Sequence, residues 1–69
     1  MQLRRQTAIV RTKGQLLVAL HMAEDFPGDT KILLIHKEGE SLITIYGGNK
    51  EEVAQVRRRV RKTPAKQLF

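Results

Sequence analysis

The sequence predicts a small α+β domain over residues 1–63, with an antiparallel sheet and elements in the order β-α-β-β-α. Three observations support this: a length of 69 residues, two adjacent segments rich in β-branched residues, and an amphipathic segment near the C-terminus. Hydrophobic residues make up 41% of the chain, which is enough for a folded domain. A chain this short buries only about 60% of the surface that its unfolded form exposes, so we expect a thin core.

Two strands are predicted in the middle of the chain. KILLIHK (31–37) and SLITIYG (41–47) are rich in β-branched residues, and a turn at residues 37–40 joins them into a hairpin. Residues 32–35 are apolar at every position, as expected of a central strand that is covered on both faces. TAIVR (7–11) is a third, shorter strand candidate.

The last helix has the clearest boundaries. Asn49 is a favoured N-cap with Glu52 three residues later, and Pro64 ends the helix near residue 62 or 63. Val53, Val56 and Val60 recur at three- and four-residue spacing and form one narrow apolar stripe. The two glycines before Asn49 are expected at positions of positive φ. We expect residues 64–69 to fray.

The segment GQLLVALHMAEDFPGD has two interpretations. Leu16, Leu17, Leu20 and Ala23 fall on one helical face, which predicts a helix over residues 15–26 that ends before the Pro-Gly pair at 27–28. In the alternative, QLLVALH is a fourth strand paired with TAIVR, giving a four-strand meander followed by a C-terminal helix. We favour the helix.

Each interpretation has a resemblance in the order of its elements. The stretch SLITIYGGNKEEVAQVRRRV resembles the strand, glycine turn and helix that close the small SOS proteins inhibiting the RecA recombinase, which share the β-α-β-β-α order. Those proteins carry an acidic final helix, whereas this one is basic, so the resemblance implies no shared role. The meander followed by a helix is similar to single-strand-binding coactivator and purine-rich-element-binding domains.

Positive charge is concentrated at the two ends of the chain. Residues 1–13 carry a formal charge of +4, residues 14–52 carry −4 and residues 53–69 carry +6, for a net charge of +6. If the fold brings the first strand near the last helix, these cations form one basic patch. The candidate binding residues are Arg4, Arg5, Arg11 and Lys13 in the N-terminal segment and Arg57, Arg58, Arg59, Arg61 and Lys62 in the last helix.

This charge pattern predicts a small, basic, non-enzymatic nucleic-acid-binding protein. Dense arginine on a helix supplies phosphate contacts that do not depend on base sequence. The chain has only three aromatic residues, which favours duplex DNA or structured RNA over a single strand read by base stacking. The alternative hypothesis is an inhibitor or accessory module whose basic helix docks on an acidic protein partner.

The remaining features exclude several other classes. The chain has no cysteine and no recognisable spacing of metal ligands or catalytic residues, so we expect no enzyme, no metal and no cofactor. No apolar stretch approaches the roughly 20 residues that span a bilayer, and no signal-peptide core is present, so we expect a cytoplasmic location. The thin core and the sheet edges suggest a homodimer.

Overall fold

The computed structural model describes residues 4–36 and 40–69 and has the predicted α+β class. Its first helix covers the segment for which two interpretations were open, so the four-strand meander is wrong. Of the predicted turn at 37–40, only Glu40 lies within the described residues. The elements are β1 (Arg4–Ile9), α1 (Lys13–Ala23), β2 (Thr30–His36), β3 (Glu40–Tyr46), α2 (Lys50–Lys62) and a short α3 (Ala65–Leu68).

The three strands form a mixed sheet in the order β1-β2-β3. β2 and β3 are antiparallel, as predicted for a hairpin, with an irregularity in the pairing between Leu34 and Ile35. β1 and β2 are parallel, with Arg4 opposite Thr30 and Ile9 opposite Ile35. The predicted antiparallel sheet is therefore wrong for this pair. The two strands are parallel because α1 lies between them and carries the chain back to the end of the sheet where β1 began, so that β2 runs in the same direction as β1.

One face of the sheet packs against α1 and α2. In β2, Ile32 and Leu34 are buried, whereas Leu33 and Ile35 alternate with them and are only half-buried. Contrary to the sequence prediction, the central strand is thus covered on one face and not on both. The core is a single layer between sheet and helices, made of Val10, Leu16, Leu20, Ala23, Ile32, Leu34, Ile45, Val53 and Val60.

Local signals set the ends of both long helices. Thr12 caps α1: its side chain accepts a hydrogen bond from the backbone of Gln15, whose own side chain accepts one from the backbone of Thr12. Asn49 caps α2 and accepts from the Glu52 backbone at 3.4 Å. The predicted boundaries of α2 are confirmed. Within its stripe, Val53 and Val60 are buried, but Val56 is half-buried.

The loop after α1 and the turn before α2 touch through their backbones. The amide of Gly47 donates to the carbonyl of Thr30 at 2.8 Å, and the amide of Gly48 donates to the carbonyl of Phe26 at 2.9 Å. Gly48 has the predicted positive φ, 76°. Gly47 is required for a different reason, since a Cβ atom there would overlap the carbonyl oxygen of Pro27. This contact holds the start of α2 against the end of α1.

The C-terminal residues, which the sequence predicts to fray, include a short helix, α3. Leu68 and Phe69 pack against the core, and the Phe69 ring meets the His36 ring edge to face at a centroid distance of 4.5 Å. The amide of Gln67 donates to the carbonyl of Pro64 at 2.9 Å. Leu68 and Phe69 therefore anchor the C-terminal segment, although the residues just before them are polar or small.

Candidate nucleic-acid interface

The C-terminal half of α2 presents four exposed cations. None of these exposed side chains forms a salt bridge with another described residue. They are Arg58, Arg59, Arg61 and Lys62. Their opposite side is fixed by Val60, which is buried against the core. In this half of α2 the helix is amphipathic, as the sequence predicts, because Val60 faces the core and these cations face solvent.

Arg57 differs from its neighbours because it faces α1. Its Nη1 donates to Oε1 of Glu24 at 2.5 Å and lies 3.1 Å from Nδ1 of His21. Since an arginine side chain only donates, the imidazole nitrogen accepts. The Arg57 and Glu24 side chains are 22% and 20% exposed. Of the five α2 cations proposed from sequence, Arg57 is thus engaged in packing the two helices.

Two of the four N-terminal cations lie at the same end of the molecule as the C-terminus of α2. Nζ of Lys13 donates to the backbone carbonyl of Arg61 at 2.7 Å, a contact between residues 48 apart in sequence. Arg11 is exposed just before α1, where its amide donates to the Gln15 side chain. We call this surface the basic end: Arg11, Lys13, Arg58, Arg59, Arg61 and Lys62.

Arg4 and Arg5 lie at the other end of β1. At about 3.3 Å per residue, the six steps along the chain from Arg4 to Val10 span about 20 Å. Arg4 pairs with Asp29, with 3.6 Å between Nε and Oδ2, while Arg5 is exposed. The single basic patch that would unite all the N-terminal cations with the last helix is therefore not formed.

Most acidic residues lie away from the basic end. Because the turn before α2 contacts the loop after α1, the start of α2 and the end of α1 lie together. Glu40 is different. In the strand register it lies opposite His36, at the end of β2 that is nearer the start of α1. The fold thus converts the acidic middle of the sequence into an acidic end, made of Glu24, Asp25, Asp29, Glu51 and Glu52.

Other kinds of site find no support in the described part of the chain. Within residues 4–36 and 40–69, no group of three or more histidine or carboxylate side chains is arranged to hold a metal ion. Across the same residues, the helices fall short of the length and apolar composition needed to cross a membrane. Comparisons of the chain with family models, with curated proteins and with solved structures find no match.

Proposed function

We propose that this chain is a small, non-enzymatic nucleic-acid-binding protein whose basic end contacts phosphate groups of duplex DNA or structured RNA. The observation that carries the proposal is the convergence of two distant basic segments, since Lys13 contacts the α2 terminus that presents Arg58, Arg59, Arg61 and Lys62. Exposed arginine and lysine side chains neutralise phosphates and release counterions, which gives affinity without base readout.

The separation of charge supports an oriented approach to a polyanion. Glu51 and Glu52 lie in the first turn of α2, whereas Arg59, Arg61 and Lys62 lie in its last turn. Such a molecule is attracted to a polyanion by one end and repelled at the other, which favours a single binding orientation and raises the association rate at low salt. The basic helix end itself suits the helix dipole.

The decisive experiment compares two double variants that remove the same charge from opposite ends. Arg58→Gln with Lys62→Gln removes two cations from the basic end, and Arg4→Gln with Lys50→Gln removes two from the acidic end. Binding of a labelled DNA duplex and of a structured RNA hairpin is measured by gel shift at several salt concentrations. For the duplex, the first double variant should lower the slope of log K against log salt by about 1.8, or 0.9 per lost phosphate contact.

The control double variant should keep the wild-type slope. Equal slopes for both double variants would refute the basic end as the binding surface. If the wild type binds neither nucleic acid even at low salt, the acidic-protein hypothesis takes its place. A pull-down comparing the wild type with the Arg58 and Lys62 double variant would then be the next measurement.

A further inference from the structure

The sheet has an open face on the side away from the helices. Leu33 and Ile35 of β2 belong to this face and lie outside the buried core cluster. At its edges, Ile9 is 67% exposed and Tyr46 is 50% exposed. The helices and the α3 segment pack on the opposite side, so no element within residues 4–36 and 40–69 covers this face.

Three side chains form a row across one end of the open face. Arg5 of β1 is opposite Lys31 of β2, and Lys31 is opposite Tyr46 of β3. Neighbouring strands lie about 4.8 Å apart, so the row spans about 10 Å from Arg5 to Tyr46. Among the described residues, the Tyr46 ring has no aromatic or cation–π partner. The row therefore joins an available aromatic surface to two cations.

The rest of the open face is neutral. The next row along the strands is Thr7, Leu33 and Thr44, and Ile9 and Ile35 lie beyond it. Acidic residues are absent from the open-face positions of all three strands. A partner of this face thus meets positive charge beside an aromatic ring, followed by a hydroxyl and aliphatic surface. The carboxylate of Asp29, at the same end of the sheet, lies beside Arg4, which offsets its charge.

We propose that the open face binds single-stranded nucleic acid, with a base stacked on Tyr46 and neighbouring phosphates held by Arg5 and Lys31. The bases of a single strand are free to stack on aromatic side chains, whereas those of a duplex are not. The two cations supply the phosphate attraction that such grooves need. This goes beyond phosphate binding by the basic end, and it uses none of the α2 cations, so the two proposals can fail separately.

Tyr46 provides its own spectroscopic test. It is the sole tyrosine, and the chain has no tryptophan, so intrinsic fluorescence reports on this side chain. Oligothymidylate and oligouridylate, which lack stable secondary structure, are titrated into the wild type at low salt, with N-acetyltyrosinamide titrated in parallel to correct for absorbance. We expect saturable quenching by either oligonucleotide. An absence of quenching would overturn the proposal.

Variants separate stacking from phosphate attraction. Tyr46→Leu should weaken binding of a labelled oligonucleotide about tenfold, measured by anisotropy, whereas Tyr46→Phe should bind like the wild type. Arg5→Gln with Lys31→Gln should lower the salt slope by about 1.4, or 0.7 per contact on a single strand. Val18→Ala, at an exposed apolar residue of α1, is the control and should change neither value. Circular dichroism verifies the fold of each variant.

Three results would contradict the open-face site. Equal oligonucleotide affinity for the wild type and Tyr46→Leu would exclude stacking. Loss of quenching in the Arg58→Gln and Lys62→Gln double variant would assign single strands to the basic end. Tyrosine fluorescence that changes with protein concentration alone, without response to oligonucleotide, would mean that a second copy covers the face. Loss of duplex binding with retained quenching in that double variant would instead support two separate surfaces.

Discussion

Arg57 and Glu24 join α2 to α1 through a hydrogen bond of 2.5 Å between largely buried side chains. This contact divides the arginine cluster by role, because Arg57 lies between the helices while the next residue, Arg58, is exposed to solvent. A cation that is adjacent in sequence to the proposed binding surface is therefore expected to contribute to stability.

Arg57→Gln should lower the free energy of unfolding by about 1.5 kcal/mol or more, because the Glu24 carboxylate loses a charge-assisted partner in a partly desolvated position. Duplex affinity should change little. Urea unfolding and gel shift measure the two effects, and Arg58→Gln is the matched control, with stability within about 0.5 kcal/mol of the wild type. A reversed pattern, with Arg58 stabilising the fold and Arg57 binding the duplex, would contradict this division.

Val53→Ala should destabilise the protein by about 2 kcal/mol, since it removes two buried methyl groups and leaves a cavity. Val53 is 1% exposed, and Val56 on the same helix is only half-buried. Val56→Ala is therefore expected to cost less than about 1 kcal/mol. Thermal unfolding of the two variants provides the comparison, and equal losses would show that the stripe is evenly buried.

Gly47→Ala should destabilise the protein by about 1–3 kcal/mol, because the loop carrying Pro27 must move or the backbone must take up strain. Gly14→Ala provides the opposite control. Gly14 lies in α1 with space for a Cβ atom, so alanine there should stabilise the fold by about 0.5–1 kcal/mol. No destabilisation by Gly47→Ala would contradict the close approach of the two loops, and destabilisation by Gly14→Ala would contradict the free space at that position.

Phe69→Ala should lower stability by about 1 kcal/mol and release the last helical turn, because the edge-to-face contact with His36 is lost. Hydrogen exchange at the amides of Gln67 and Phe69 should accelerate. Lys66→Ala, at an exposed residue of the same turn, leaves the contact in place and should change neither measurement. Fast exchange of both amides in the wild type would instead support the fraying predicted from sequence.

The bounds of α2 could be predicted because they depend on local signals. The direction of β1 and the position of Arg57 depend on long-range contacts and could not be predicted. Asn49, Glu52 and Pro64 act within a few residues of the helix ends, so their effect can be determined from sequence. The parallel pairing of β1 depends on the path of α1, and the loss of Arg57 from the basic surface depends on a partner 33 residues away.

The open face could be predicted from the sequence of β3 but not from that of β2. Lys31 and Tyr46 were not singled out from sequence, although the alternation of buried and exposed residues in β3 places Tyr46 opposite to Ile45. In β2 that signal is hidden, because residues on both faces are apolar. Dimer formation is a prediction that rests on sequence and on the sheet edges.

The parallel pairing of β1 also affects how the chain folds as it is synthesised. Each residue of β1 pairs with the residue 26 positions later, as Arg4 does with Thr30. At about 5–20 residues per second, β1 leaves the ribosome roughly 1–5 s before its partner does. During that interval its backbone has no neighbouring strand. Arg4 and Arg5 at its start, and Arg11 two residues beyond its end, are expected to keep this unpaired segment hydrated and to oppose its pairing with the same segment of another nascent chain.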